Sequence, residues 1–462
     1  MLVAGVDSST QSTKVVLCRA EDGVVVGRAA APHPAGTECD PADWWRALRD
    51  AGGGLLDRAD AIGVAAQQHG MVVLDESGTV IRPAMLWNDL RSAPQAAELA
   101  AAYGGPAEWA RRTGSVPTAS FTVTKLRWLA EHEPDAAART ATVLLPHDWL
   151  TWRLAGATAG PTTDRGDASG TGYFSPADST WLPDIATAAI GHPIRLPRLA
   201  QPAEVVGHTQ TGAALSAGTG DNMGAALGLG LREGEVVVSI GTSGTAYAVA
   251  ATPAADQTGA VAGFADATGR FLPLVATVNA ARVLTVTAAV LGTDADGLAR
   301  LALAAPPGAD GLIMLPYLDG ERTPNRPDAT GVLRGLTSTS TTQENLARAA
   351  VEAVLNSLAD AIGNLAACGI NAGRVLLIGG AAQSPAVRAI APAIFGVPVT
   401  VPKPDEYVAL GAARQAAWAL TGSLPDWPKA GAEDFTAEPD ETLRRRYGML
   451  RDDTAGWHDK LD

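Results

Sequence analysis

Leu2-Val3-Ala4-Gly5-Val6-Asp7-Ser8-Ser9-Thr10-Gln11-Ser12-Thr13-Lys14-Val15-Val16-Leu17-Cys18 opens the chain. Leu2–Val6 is a short apolar run, Asp7–Ser12 is polar, and Val15–Cys18 is apolar again. Asp22-Gly23 then precedes Val24–Val26. Short apolar runs bounded by turn residues read as strands, so this stretch predicts a three-strand meander with a polar first turn. The phrase returns later: Glu235–Ile240 is largely apolar, Gly241-Thr242-Ser243-Gly244 is a small polar turn, and Thr245–Val249 is apolar. The repeat is short, but each copy opens one half of the chain, which points to two related domains.

Outward from the first meander, Pro41–Arg49 has helical spacing, and its Trp44 and Trp45 read as core residues. Ala61–Ala66 reads as a buried strand running into Gln67-Gln68-His69-Gly70, followed by a further strand at Met71–Leu74. In the second half, Arg374–Ile378 is a strand entering Gly379-Gly380-Ala381-Ala382-Gln383-Ser384-Pro385, and Ala386–Phe395 and Val408–Leu420 are helical. Gly224, Gly228, Gly230 and Gly234 crowd together, so the domain boundary is expected there. The resulting division is 1–230, 231–430 and a charged terminal helix or tail at 431–462. A length of 462 residues agrees, since single cores rarely grow beyond roughly 250–300 residues.

Composition narrows the function. Hydrophobic residues make up 47% and charged residues 18%, which is globular and not disordered. The formal charge is −14 and the longest basic run is Arg444-Arg445-Arg446, which argues against a nucleic-acid partner. Cys18, Cys39 and Cys368 are far apart and odd in number, so neither a disulfide framework nor a zinc site is expected. The N-terminus meets Asp7 with no basic segment before it, unlike a signal peptide, and no apolar run reaches the roughly 18 residues of a membrane span. A cytoplasmic protein with no membrane partner is the expectation.

There is no G-x-x-x-x-G-K-[ST], no G-x-G-x-x-G after a strand, no H-E-x-x-H and no G-x-S-x-G. What remains are small-residue turns after strands. Asp7-Ser8-Ser9-Thr10 and Gly241-Thr242-Ser243-Gly244 offer hydroxyls and unhindered N–H groups, and Gly379-Gly380-Ala381 is a third such turn. Turns of this kind can wrap phosphate oxygens, although Gly, Ser, Thr and Asp also make ordinary turns. Taken together, the three favour a polyphosphate ligand. A carboxylate at Asp7 would repel phosphates unless a divalent cation bridged them, which suggests Mg²⁺.

These segments resemble the FGGY carbohydrate kinases, and within them the xylulokinases, from Leu2 to about Leu420. Gly5-Val6-Asp7-Ser8-Ser9-Thr10 resembles the family's first phosphate loop, with Ser9 where many relatives have Gly. Ser120–His132, with Lys125 and Trp128, fits one long signature, and Gly331–Glu352 fits a second. Gly320-Glu321-Arg322-Thr323-Pro324 is a further xylulokinase-like segment.

The resemblance implies an α/β fold of two actin/hexokinase-like domains, each built on a ribonuclease-H-like βββαβα unit, with an interdomain cleft that closes over the reactants. It implies ATP and Mg²⁺ as cofactors and a small sugar as substrate, with D-xylulose foremost and ribulose, a pentitol, glycerol or gluconate as alternatives. A homodimer is the oligomer found among such kinases.

Residue by residue, Asp221 in Gly218-Thr219-Gly220-Asp221-Asn222 matches the catalytic base; it also lies where a helix cap would sit. Gln68 and His69 match the sugar-binding Met-His-Gly segment, with Gln68 departing from Met. Asn88 and Asp89, in Trp87-Asn88-Asp89 with Arg91, either touch sugar or brace the site wall, and Asn222 helps to hold the sugar. Ser9, Thr10, Gly241, Thr242 and Ser243 are assigned to the phosphates; Gly379, Gly380, Ala381 and Gln383 are assigned to adenosine. Asp7 is assigned to catalysis through Mg²⁺, held through water. His147 replaces a common Lys and reads as structural. The competing reading from another class, a sugar- or ATP-binding regulator without turnover, is opposed by the presence of Asp7, His69, Asp221 and the glycine loops together.

Overall fold

The computed structural model describes residues 1–429 and 431–457. The opening stretch forms strands β1 (Leu2–Ser8), β2 (Ser12–Arg19) and β3 (Val25–Pro32), paired antiparallel in sequence order. Helix α1 (Pro41–Leu56) follows, with Asp40 Oδ1 accepting from Ala42 N at 2.9 Å as its cap. Strand β4 (Ala61–Ala66) then lies parallel to β1. Further along, among other short elements, come helices α2 (Thr122–His132) and α3 (Pro146–Leu154), and later β5 (Val205–His208), β6 (Ala214–Ser216), β7 (Thr219–Gly220) and helix α4 (Asp221–Leu229). The sheet order is β5-β6-β4-β1-β2-β3, with β7 also paired to β4.

The predicted second copy of the phrase is β8 (Glu235–Ile240) and β9 (Gly244–Ala248), and β10 (Phe271–Thr277) completes the antiparallel meander. After helix α5 (Gln343–Ala367), strand β11 (Arg374–Ile378) lies parallel to β8, as β4 lies to β1. Helix α6 (Pro385–Phe395) leads to β12 (Val399–Pro402), parallel to β11. Helix α7 (Tyr407–Thr421) and strand β13 (Ala432–Phe435), antiparallel to β12, follow. Through these strands the order of the sheet is β10-β9-β8-β11-β12-β13. Both units share the order of three antiparallel strands and a fourth parallel to the first.

The compact units are not the linear pieces expected from the sequence. The first consists of Met1–Leu231, Ala250–Pro273 and Asp405–Lys429. The second contains Arg232–Val249, Leu274–Pro404 and the described residues from 431 onward. Helix α7, although it lies in the second linear piece, packs within the first compact unit. The described part of the expected 431–462 tail holds β13 and a helix at Glu441–Asp453; residues 458–462 lie outside the described residues.

The reason lies in side-chain size. On β1, Ala4 and Val6 face a core containing Trp44, Leu48 and Trp149, whereas Val3 packs on the other face with Ala409, Ala413 and Ala416 of α7. Period-two alternation puts Gly5 on the α7 face too, where a Cβ would lie 1.8 Å from Ala409 O. A Cβ on Gly411 of α7 would lie 1.8 Å from Gly224 O of α4. The glycines expected to mark a boundary thus include the contact surface between α4 and α7. Trp44 is fully buried, and Trp45 packs against the same core.

Candidate active site

Three parallel strands of the first unit, β1, β4 and β7, end side by side: Asp7 is opposite Ala65, Ser8 opposite Ala66, and Gly220 opposite Ala66. The carboxyl ends of neighbouring parallel strands are where α/β sheets place their ligands. Asp7, Gln67, Gln68 and Asp221 all leave the sheet here.

Asp7 is buried, and its Oδ1 has no hydrogen-bond partner in the protein. Burial pushes its carboxyl up to about 7; Lys14 opposes the shift, and the charges of Asp221 and Glu406 add to it. Lys14 is itself tied to Glu406, Nζ to Oε2 at 2.7 Å. Asp221 is the first residue of α4, and Gly220 occupies the cap position. The expected capping role is thus corrected by one position, although the carboxylate still sits at the positive end of the helix. Its Oδ1 accepts from Asn222 N at 2.8 Å and from Asn222 Nδ2 at 2.9 Å. Burial raises this carboxyl to about 6, against the lowering effect of the Asn222 bonds. Asn222 Nδ2 also donates to Gln68 Oε1 at 3.1 Å, so Asp221, Asn222 and Gln68 form one polar chain. Gln68 Nε2 is buried with no hydrogen-bond partner in the protein.

His69 carries φ +67°, the left-handed region that non-glycine residues seldom occupy. Its Nδ1 lies 2.6 Å from Gly170 O. A carbonyl only accepts, so Nδ1 holds a proton. The rings of Phe121 and Phe264 flank it at 4.8 and 5.7 Å. Beneath it, Lys125 is fully buried and donates to His69 O and Ser120 O, both at 2.8 Å. Burial lowers the Lys125 ammonium to about 7. Lys125 stands within the first signature, yet its hold on the His69 backbone was not readable there. Lys125→Met is expected to raise the sugar KM about tenfold, since each buried carbonyl left without its donor costs about 1–3 kcal/mol. Steady-state kinetics with varied sugar checks this, and an unchanged KM would separate Lys125 from the site.

The remaining first-unit assignments divide. Ser9 closes the turn, its N and Oγ both donating to Ser12 O at 3.0 Å. Thr10 Oγ1 accepts from Trp87 Nε1 at 2.9 Å. Asn88 donates to Gly36 O at 3.4 Å. Asp89 is buried and bound by Arg91, whose guanidinium lies over the Trp128 ring at 5.0 Å.

In the second unit, Gly241-Thr242-Ser243 follows β8 and Gly379-Gly380-Ala381 follows β11. These strands are adjacent and parallel, with Ser239 opposite Ile378, so the two loops emerge side by side. Gly241 N donates to Ser243 O at 3.1 Å. Gly379, at φ +92°, runs against Ile240, where a Cβ would meet Ile240 O at 2.6 Å. Gln383 Oε1 accepts from Arg388 Nη2 at 2.5 Å, so this side chain is engaged within its own unit. Glu321 of the Gly320–Pro324 segment is buried and accepts from Val278 N at 2.6 Å and Arg322 N at 2.8 Å.

Sequence reading assigned no role to Gln67. It is 1% exposed, and neither amide atom has a hydrogen-bond partner in the protein. Register places it on the sheet face of Asp7, since Ala65 is opposite Asp7 and side chains alternate.

Residues 2–230 match the N-terminal domain of the FGGY family of carbohydrate kinases, and residues 236–420 match its C-terminal domain. Xylulose kinase of Streptomyces coelicolor is 47% identical, over 98% of this chain and 96% of that protein. Xylulose kinase of Streptomyces rubiginosus is 45% identical, over 98% and 96%. The crystal structure of xylulose kinase from Bifidobacterium adolescentis superposes with a TM-score of 0.91 at 45% identity, covering 98% of this chain and 99% of that one. With both domains matched in order and full-length relatives at this identity, the chain belongs to the FGGY family of carbohydrate kinases.

Proposed function

We propose that the chain transfers the terminal phosphoryl group of ATP to D-xylulose, giving D-xylulose 5-phosphate and ADP, with Asp221 as general base. The observation that carries the chemistry is the Asp221 carboxylate. It stands at a helix N-terminus, aimed by Asn222, with a pKa of about 6. A base near that value is largely ionised at neutral pH and still able to take a hydroxyl proton as the oxygen–phosphorus bond forms. Gln68 offers a buried donor to sugar hydroxyls, His69 follows it in the chain, and Asn222 links Gln68 to the base. The adjoining Gly241–Ser243 and Gly379–Ala381 loops supply backbone N–H groups and little side-chain bulk for phosphates and a purine.

Among the described residues no cluster of three or more His, Cys, Asp or Glu side chains suited to a metal occurs. A buried Asp7 oxygen with no protein partner nonetheless fits Mg²⁺, which is commonly held by one or two carboxylates with waters and substrate phosphates. Bound there, the ion would neutralise charge on the phosphate oxygens.

The relatives' names support D-xylulose, and the choice is tested by a panel of D-xylulose, ribulose, pentitols, glycerol and gluconate in a coupled ADP-release assay. D-xylulose is expected to give the highest kcat/KM. No turnover of D-xylulose alongside turnover of another polyol would move the assignment to that polyol. Gln68→Met removes the buried Nε2 donor and is expected to change the ratio of kcat/KM between the two best sugars by about tenfold or more. An unchanged ranking and ratio would remove Gln68 from specificity.

A further inference from the structure

Behind the loop that carries Asp221 lies a buried charged cluster that none of the chemistry above uses. His147 of α3 is fully buried. Its Nδ1 lies 2.6 Å from Asp167 Oδ2, and its Nε2 lies 3.2 Å from Asp148 Oδ1 and 4.0 Å from Asp164 Oδ1. Only the Nδ1 contact has hydrogen-bond geometry, yet carboxylates lie close to both ring nitrogens, so their negative charge favours the doubly protonated imidazolium. Among the described residues, His147 alone forms ion pairs with these three carboxylates. Arg165 acts on Asp164 electrostatically but donates to the carbonyls of Arg270 and Pro176.

The cluster reaches the base through two contacts. Asp164 Oδ2 accepts from Thr219 Oγ1 at 2.8 Å, two residues before Asp221, while its Oδ1 accepts from Asp167 N at 2.9 Å. The His147 ring also lies directly under Gly218, where a Cβ would fall 2.5 Å from His147 Cδ2. Gly218 O is further held by Gln415 Nε2 at 3.0 Å. The Gly218-Thr219-Gly220 segment is thus seated on the imidazole and tied to a carboxylate that the imidazole helps to neutralise.

We infer that His147 is a positioning residue for the Asp221 base, acting as a buried cation that holds Asp164 and Asp167 and, through Thr219, fixes the loop on which Asp221 stands. This rests on the reading of Asp221 as the base. Removing the cation leaves three buried carboxylates without it, and the loop relaxes. A displacement of about 1 Å in a reacting group can cost about 100-fold in rate.

The test is steady-state kinetics of the full chain with whichever sugar of the panel turns over best. His147→Gln is expected to lower kcat by about 30-fold or more, with the sugar KM within about threefold of the parent. His147→Lys keeps a cation and is expected to restore most of the loss, to within about fivefold of the parent kcat. Thr219→Val is expected to lower kcat about tenfold, and Thr219→Ser to recover it. A His147→Gln enzyme with parental kcat overturns the inference, as does a His147→Lys enzyme as slow as His147→Gln. Should His147→Gln not fold, the Thr219 pair decides, and parental kcat in Thr219→Val overturns it. Asp221→Asn run alongside separates the two ideas: parental turnover there defeats the base assignment, whatever the His147 variants do.

Discussion

Asp221→Asn is expected to lower kcat by about 1,000-fold, equivalent to about 4 kcal/mol of transition-state stabilisation, with the sugar KM changed by no more than about threefold. The substitution preserves shape and the acceptor toward Asn222, yet an amide cannot take the hydroxyl proton. The parent enzyme should also lose kcat/KM on acidification, with a limb near pH 6, because burial raises the carboxyl to about 6 and only the ionised form accepts a proton. The sign follows directly: lower pH protonates the base and slows the reaction. In Asp221→Asn this limb should be missing from the residual rate. A kcat near the parent value, or the same limb in the variant, would remove Asp221 from the role.

Gly411→Ala is expected to lower the first thermal transition by about 6–12 °C, corresponding to a loss of about 3 kcal/mol. Helix propensity alone predicts the opposite sign, since Ala is favoured over Gly in a helix by about 1 kcal/mol. At this position the new methyl would lie 1.8 Å from Gly224 O and 2.9 Å from Gly228 N, so two helix backbones must separate to admit it. Gly363→Ala is the control. Gly363 is an exposed position within α5 whose Cβ would meet nothing within 4 Å, and its replacement should leave the transition unchanged or raise it. A stabilised Gly411→Ala protein would show that the α4–α7 contact yields easily.

Much of the architecture is legible in the sequence because buried strands of a parallel sheet are unbroken apolar runs. Glu235–Ile240 and Arg374–Ile378 fall on the strands observed, and the repeated strand–turn–strand phrase opens both units. The allegiance of α7 is not legible. It depends on Gly5, Gly224 and Gly411 meeting backbone from distant parts of the chain, and a crowd of glycines read along the sequence looks like a boundary.

The site shows the same division. Asp7, Gln68 and Asp221 are recognisable from their motifs, and the register of β1, β4 and β7 brings their backbones together. The pairing of His147 with Asp167, 20 residues away, carries no local signature, because the two residues stand on separate helices, α3 and the short turn of helix at Arg165–Ala168. Lys125 illustrates a third case. Its presence is visible in the pattern, but its two carbonyl partners are fixed only by the fold.

The discontinuity of the first unit bears on how the polypeptide is born. Its sheet is complete by Gly220, but the helix covering one face spans Tyr407–Thr421. At translation speeds of about 5–20 residues per second, a ribosome needs roughly 10–40 s to cover the intervening chain. During that interval the glycine- and alanine-lined face of the nascent sheet has no cover of its own. Holdase chaperones are therefore expected to engage this polypeptide during synthesis, and their release to coincide with emergence of α7.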